Sequence, residues 1–350
     1  MLKFCIPKVH GRGAGLGNEL IPWAKAFIAS QELGLHLFHP AWGLNQRGYR
    51  HYFGTSRFDW LWQRGLKALL PVVTMSENDY RKYGYDDFGA AVRAFAEEKR
   101  LAEKSAYVLE VEGMWGGYLS IVDARDFILR ELYRTRITSE NLYDLRKRLP
   151  KDQLVVALHV RRGDFLTDSR DMDYKGRFNV SLPIEWYRNV CTNLKNALGN
   201  RISFLLLTDG TPDELRDFIE EFAPTCTFNQ HHTAVSDLLA LAQADLLVCS
   251  VSSYSMWAAF LSGKPYLWYA PNLQQEDGRL SLWGHESAQR LPDGITARNR
   301  QIQSQADDLC LPRGVPVGEN GILPDELLKH LEFDWGMKQP SSDLIFYGAV

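Results

Sequence analysis

The stretch LVVALHVRRGD, residues 154–164, decides the fold. Leu154 to Val160 is a continuous apolar run, the pattern of a parallel strand buried on both faces; a half-exposed strand would alternate. Where the run ends, His159-Val160-Arg161-Arg162-Gly163-Asp164 brings two guanidinium groups and a carboxylate to the carboxyl end of that strand. Ligands of open parallel sheets bind beyond that end. Arginine presents a planar, permanently charged fork of donors, suited to a diphosphate that gains negative charge as it departs. The competing reading makes both arginines solvated charges paired with Asp164 and Asp168, which suits the end of a buried strand less well.

Downstream, Ile202 to Leu207 repeats the buried-strand pattern. Thr211, Pro212 and Glu214 then supply an N-cap, a first-turn proline and a capping-box acid, and Leu215, Phe218, Ile219 and Phe222 form one helical stripe. Ser236 to Gln243 reads as a helix, Asp245 to Cys249 as a strand, Tyr254 to Leu261 as a helix stopped at Gly263, and Tyr266 to Tyr269 as a strand. This alternation predicts a doubly wound α/β sheet. Ser250, Ser252, Ser253, Tyr254 and Ser255 stand between a strand and a helix, as a phosphate cradle would. On their own the serines fit a generous N-cap better.

Upstream, Leu2 to Ile6 reads as a strand, Pro7 to Gly17 as a glycine-rich loop, Asn18 to Leu33 as a helix with Asn18 as its N-cap and Pro22 near its first turn, and Leu35 to Phe38 as a strand. A G-x-G-x-x-G fingerprint begun at Gly11 or Gly13 meets Leu16 or Asn18 at its last position, and the next strand lacks the ribose-binding acid, which argues against an oxidoreductase. The alternating glycines, Gly15 and Gly17 among them, serve either a close backbone approach to a ligand or a flexible turn. Residues 40–80, aromatic and without a period, read as a long functional surface segment. Helical periodicity spans Phe88 to Lys104 and Asp123 to Arg136, around GMWGGY at 113–118, where Trp115 suits stacking on a sugar ring. Most other tryptophans, such as Trp257, read as core. Leu149-Pro150-Lys151 marks a junction between domains 1–150 and 151–350.

A length of 350 residues accommodates two α/β domains, and a net charge of -3 gives no general attraction to nucleic acid. The five cysteines are scattered, and the adjacent His231 and His232 have no further ligand at metal spacing, so neither a disulfide framework nor a metal site is expected. No signal-peptide pattern opens the chain, and no run approaches the roughly 20 apolar residues that span a bilayer. The expectation is a cytoplasmic protein without a transmembrane segment, with peripheral membrane association left open.

Together these residues resemble the inverting GDP-fucose-dependent fucosyltransferase superfamily, which contains α1,2-, α1,6- and protein-O-fucosyltransferases. GAGLGNEL at 13–20 is similar to its amino-terminal glycine loop, GMWGGYLS at 113–120 to an aromatic-glycine segment of the bacterial α1,2 enzymes, and HVRRGD at 159–164 to its first signature. LTDGTP at 207–212 and SDLLALAQADLLVCSVSSYSMWAAFL at 236–261 resemble the second and third. The resemblance implies a GT-B architecture of two Rossmann-like doubly wound domains facing across a cleft, with GDP-fucose as donor, the donor held by the carboxyl-terminal domain and no metal or other cofactor. It implies that Arg162 binds the β-phosphate with Arg161 in support, that His159 and Asp237 face the guanine, that Asp209 meets the ribose or base edge, and that Ser252 and Ser253 meet the diphosphate. Asn18, Glu19 and Trp115 fall on the acceptor side; Glu19 stands where the α1,2 enzymes commonly carry glutamine, and Gly116-Gly117 replaces a more polar pair.

Inversion requires a base for the acceptor hydroxyl. Asp164, Glu19, Asp168, Asp171 and Asp173 all qualify, with Asp164 favoured. The expected acceptor is a glycan or glycolipid. The alternatives are transfer of another nucleotide sugar and a noncatalytic GDP- or glycan-binding protein of the same fold.

Overall fold

Leu154–Val160 is a strand whose side chains are buried on both faces, at the centre of a six-stranded parallel sheet. The computed structural model describes residues 2–8, 14–56, 58–83, 87–113, 118–163, 174, 180–228, 233–272 and 314–337. The chain divides into two compact units, Met1–Thr138 and Ser139–Ala349.

The first unit contains β1 (Leu2–Pro7), α1 (Leu16–Leu33), β2 (His36–Leu37), α2 (Arg50–Phe53), α3 (Asp59–Leu69), β3 (Val72–Met75), α4 (Glu77–Tyr83), α5 (Phe88–Glu98), β4 (Ala106–Val111) and α6 (Arg125–Tyr133). Its four strands are parallel, in the order β2-β1-β4-β3. The glycine loop follows β1 and the aromatic-glycine segment follows β4, so both leave the same edge of two paired strands.

Helix α1 starts at Leu16, with Gly15 as an extended N-cap, so the predicted cap Asn18 is already helical; the Asn18 and Glu19 amides both donate to the Gly15 carbonyl. Pro22 lies beyond the first turn and removes one backbone hydrogen bond. Burial of Leu20, Trp23, Ala24 and Ala26 holds the helix there regardless. Residues 40–80 also depart from the surface segment expected, because Trp42, Tyr49, Tyr52, Met75 and Tyr80 are buried. Trp42 stacks on Phe53 at 4.9 Å and meets Trp23 edge-on at 5.7 Å. These rings come from a 3-10 turn and a four-residue helix, elements too short to show a period in sequence.

The second unit contains most of α7 (Arg136–Arg148), then β5 (Leu154–Val160), α8 (Ile184–Leu198), β6 (Ile202–Thr208), α9 (Arg216–Phe222), β7 (Thr225–Phe228), α10 (Ala234–Gln243), β8 (Leu246–Val248), α11 (Ser253–Leu261), β9 (Tyr266–Tyr269), β10 (Gly314–Val317) and α12 (Asp325–Met337). The division after Thr138, rather than at the predicted 150, follows from α7 docking on this sheet. Asn141 donates to Ser236 Oγ at 3.3 Å and Arg148 to the Cys226 carbonyl at 3.2 Å.

All six strands are parallel, in the order β10-β9-β8-β5-β6-β7. The chain runs from β5 outward through β6 and β7, then returns beside β5 with β8 and runs outward the other way, so the unit is doubly wound. One hydrophobic core joins Leu158 of β5, Leu206 of β6, Leu267 of β9 and Val190 and Leu194 of α8. Two α/β units with parallel sheets bear out the fold class read from sequence.

Candidate active site

The strand order reverses between β5 and β8, and ligands of open parallel sheets bind beyond the carboxyl ends of the strands at such a point. Leu158 pairs with Val248. The residues that follow on each strand, His159 to Arg162 and Cys249 to Ser252, therefore emerge side by side, as the two signatures require.

The arginine turn is organised by Asp209, just past β6. One Asp209 oxygen accepts the Arg162 amide at 2.7 Å, and the other pairs with the Arg161 guanidinium at 2.7 Å. Gly163 lies so close that a Cβ there would stand 2.5 Å from the Asp209 carboxylate, and one at Gly210 would stand 3.0 Å from Arg162 Cγ. A side chain at Gly163 would displace the Asp209 carboxylate, and one at Gly210 would press on the stem of Arg162. Asp209, expected at the ribose or base edge, spends both carboxylate oxygens on shaping this turn. The competing reading holds in part, since Arg161 is ion-paired, though with Asp209. Among the described residues no carboxylate is ion-paired with Arg162.

The serines turn inward. Ser255 Oγ lies 2.6 Å and Ser250 Oγ 3.0 Å from His159 Nδ1. Ser255 Oγ also accepts the Ser250 amide at 2.9 Å, Ser250 Oγ donates to Ser252 Oγ at 3.2 Å, and Ser252 caps α11 by accepting the Ser255 amide at 3.2 Å. All three serines and His159 are buried. The hydroxyls of Ser250, Ser252 and Ser255 therefore brace the β5 and β8 ends against each other, and Ser253 and Tyr254 are the partly exposed members of the segment. Burial, helped by the Arg161 charge, lowers the His159 imidazole to about 3, so it is neutral at physiological pH.

The His159 ring sits 5.1 Å from that of Tyr254, whose hydroxyl donates to the Ala234 carbonyl at the start of α10. One turn on is Asp237, buried, its carboxylate accepting the Thr233 hydroxyl at 2.7 Å. Burial raises its carboxyl to about 6 against the opposing Thr233 hydrogen bond. His159, Tyr254 and Asp237 thus share one end of the sheet, where the expectation for His159 and Asp237 places the guanine. Sequence reasoning missed Tyr187 of α8, whose buried hydroxyl donates to the His159 carbonyl at 3.0 Å and reaches the Cys249 carbonyl at 3.4 Å. The available signal was the stripe Trp186, Tyr187, Val190, Cys191 and Leu194 at helical spacing.

In the first unit Gly17 and Glu19 are buried in α1. Asn45 donates to Glu19 Oε1 at 3.3 Å and to the Ala14 carbonyl at 3.2 Å, tying the loop end to the helix. Lys25, also buried, donates to the Tyr80 hydroxyl and to the Gly113 carbonyl at 3.2 Å. Gly113 has φ +108°, and a Cβ there would lie 2.2 Å from Tyr80 Oη, so glycine alone fits. Asp164, Trp115, His231 and His232 lie outside the described residues, as do Asp168, Asp171 and Asp173. Among the described residues no group of three or more His, Cys, Asp or Glu has metal-binding geometry, and no helix is long and apolar enough to cross a membrane.

An arginine turn and a capped helix mouth thus stand on either side of the switch point of a doubly wound sheet. Residues 78–292 match the model of glycosyl transferase family 11, and the chain belongs to that family: it is a glycosyltransferase. This bears out the likeness to the GDP-fucose-dependent superfamily read from the motifs. Similar solved structures include NodZ alpha-1,6-fucosyltransferase soaked with GDP-fucose, at 15% identity over 75% of this chain and 94% of that chain with a TM-score of 0.45. Fucosyltransferase NodZ from Bradyrhizobium is similar at 14% identity, the same coverages and a TM-score of 0.45. POFUT1 in complex with GDP-fucose is similar at 12% identity over 75% and 94% of the two chains, with a TM-score of 0.43. No curated protein matches the chain by sequence.

Proposed function

We propose that this glycosyltransferase moves fucose from GDP-fucose to a glycan or glycolipid hydroxyl, with inversion and without a metal ion. The observation that carries the reading is Arg162 at the β5/β8 switch point, its backbone fixed by Asp209 while Arg161 takes up that carboxylate's charge. The bond between the fucose anomeric carbon and the β-phosphate oxygen breaks with its electron pair passing to GDP. The Arg162 fork, with the positive end of α11, stabilises that growing charge, the work a divalent cation does elsewhere. The acceptor oxygen forms the new bond on the opposite face as its proton passes to a carboxylate.

Asp164 is the proposed base, and the burial of Glu19 against Asn45 supports preferring it. Asp237 and neutral His159 read the guanine, whose adjacent N–H donors suit a carboxylate. In this reading the unit from Ser139 onward binds the donor and the unit ending at Thr138 serves the acceptor. A thermal-shift panel tests it: GDP should stabilise the protein, UDP and NAD should not, and Arg162→Ala should abolish the GDP response. Equal stabilisation by UDP, or release of UDP alone from a panel of nucleotide sugars, would reject GDP-fucose as donor.

A further inference from the structure

Helix α3 is built inside out. Its one buried residue is polar, Gln63, which donates from Nε2 to the His39 carbonyl at 2.7 Å. Of its larger apolar residues Trp60 and Leu66 are half-buried, but Leu61, Trp62 and Leu69, with Phe58 at the N-cap, recur at i, i+3, i+4 and i+11 counted from Phe58 and so share the opposite face. All four are exposed, Trp62 at 79% and Leu69 at 82%. Among the described residues, half of the exposed large apolar side chains fall between Leu44 and Val72. Isolated exposed hydrophobics need no explanation, but a contiguous stripe of this kind marks a contact surface.

Charge indicates what that surface meets. Between residues 44 and 70 the chain carries Arg47, Arg50, Arg57, Arg64 and Lys67 against the single acid Asp59, in a protein whose net charge is -3. Lys67 is paired with Glu110 at 2.9 Å, whereas Arg47 and Arg64 are exposed. Tryptophan, phenylalanine and leucine beside arginine are the composition of a helix that lies in the plane of a bilayer interface, and eleven residues make a segment about 16 Å long.

We propose that α3 is a membrane-contact element that lays Phe58, Leu61, Trp62 and Leu69 into an anionic lipid surface, with Arg64 at the headgroups. The inference stands on α3 alone and holds whichever sugar is transferred. A glycosyltransferase held in this way would meet a lipid-linked acceptor confined to the same plane.

Co-sedimentation of the full chain with vesicles tests it, comparing phosphatidylcholine alone with phosphatidylcholine containing about 30% phosphatidylglycerol at about 0.1 M salt. The chain should bind the anionic vesicles and release as salt rises. Trp62→Ser with Leu69→Ser should weaken binding at least about tenfold, and Arg64→Glu should weaken binding to the anionic vesicles more than to the neutral ones. Each variant should keep the far-ultraviolet circular dichroism spectrum and the urea-unfolding midpoint of the unaltered chain, which shows that it is folded. Absence of vesicle binding by the unaltered chain, or binding indifferent to the double substitution, overturns the proposal. So does light scattering showing a dimer that the double substitution dissociates while neither protein binds vesicles, since the stripe would then be covered by a second copy.

Discussion

Asp237→Asn should stabilise the unliganded protein in mild alkali and destabilise it in acid. The Asp237 carboxyl stands at about 6 instead of its ordinary 3.8, because burial disfavours the carboxylate more than the Thr233 hydroxyl favours it. A folded value above the unfolded one means the folded chain holds this proton more tightly. The contribution is therefore fully favourable below about pH 4 and is lost as pH rises through 6. At pH 8 the ionised group opposes folding by about 3 kcal/mol, and at pH 4 by only about 0.5 kcal/mol. Asparagine keeps an oxygen for Thr233 and removes the charge, but buries an amide donor at a cost of about 1 to 2 kcal/mol. The net effect is a gain of about 1 to 2 kcal/mol at pH 8, a loss of about 1 kcal/mol at pH 4, and a crossing near pH 5. Urea unfolding of both proteins across this range measures the sign change. GDP affinity at pH 7.5 should meanwhile fall roughly 10- to 100-fold, because a charge-assisted contact to the base is lost. A difference of the same sign and size at pH 4 and pH 8 refutes the raised carboxyl; unchanged GDP affinity refutes the base contact.

His159, neutral and held at about 3 below its ordinary 6.5, stabilises the fold above pH 6.5, and this is lost as pH falls toward 3. His159→Phe should flatten the decline in urea midpoint between pH 6.5 and 4 while lowering stability at pH 7.5 by about 1 to 3 kcal/mol, through the lost bonds to Ser250 and Ser255. Gly163→Ala places a methyl 2.5 Å from the Asp209 carboxylate and should cost about 1 to 3 kcal/mol in urea unfolding. Combined with Asp209→Ala, it should cost distinctly less than the sum of the two single changes. Asp164→Asn should lower kcat by about 100-fold or more in a GDP-release assay while leaving GDP affinity within about threefold; near-normal turnover would remove Asp164 as the base.

The legible part of the fold was the part with one dominant signal. β5 and β6 are nearly continuous apolar runs, broken only by His159 in β5 and by Ser203 and Thr208 in β6, because a central parallel strand has no solvent face, and the strand-turn-helix patterns around β8, α11 and β9 have hydroxyl or glycine punctuation at their ends. β4 escaped notice because Glu110 interrupts it, a charge tolerated only through Lys67 arriving from α3 in the fold. β10 follows β9 in the sheet but stands more than forty residues later in the chain, beyond reach of any local pattern. Strand order, which creates the switch point, is a tertiary fact with no local code.

The site was legible as residues and not as roles. A helix cap and a phosphate cradle use the same serines, so no reading of SVSSYS could separate them, and none could show His159, ninety-six positions from Ser255, meeting the Ser250 and Ser255 hydroxyls. Nor could a local pattern show that Asp209 takes the Arg162 amide and the Arg161 guanidinium on its two oxygens. The polar groups at the two strand ends bind one another, so the proposed site is ordered by the fold before any ligand arrives, and in the proposed reading Arg162 and the ionised form of Asp237 discriminate the incoming nucleotide. A site built this way pays its ordering entropy on folding rather than on binding, which is the condition under which charge stabilisation of a leaving group lowers a barrier instead of being consumed in rearrangement.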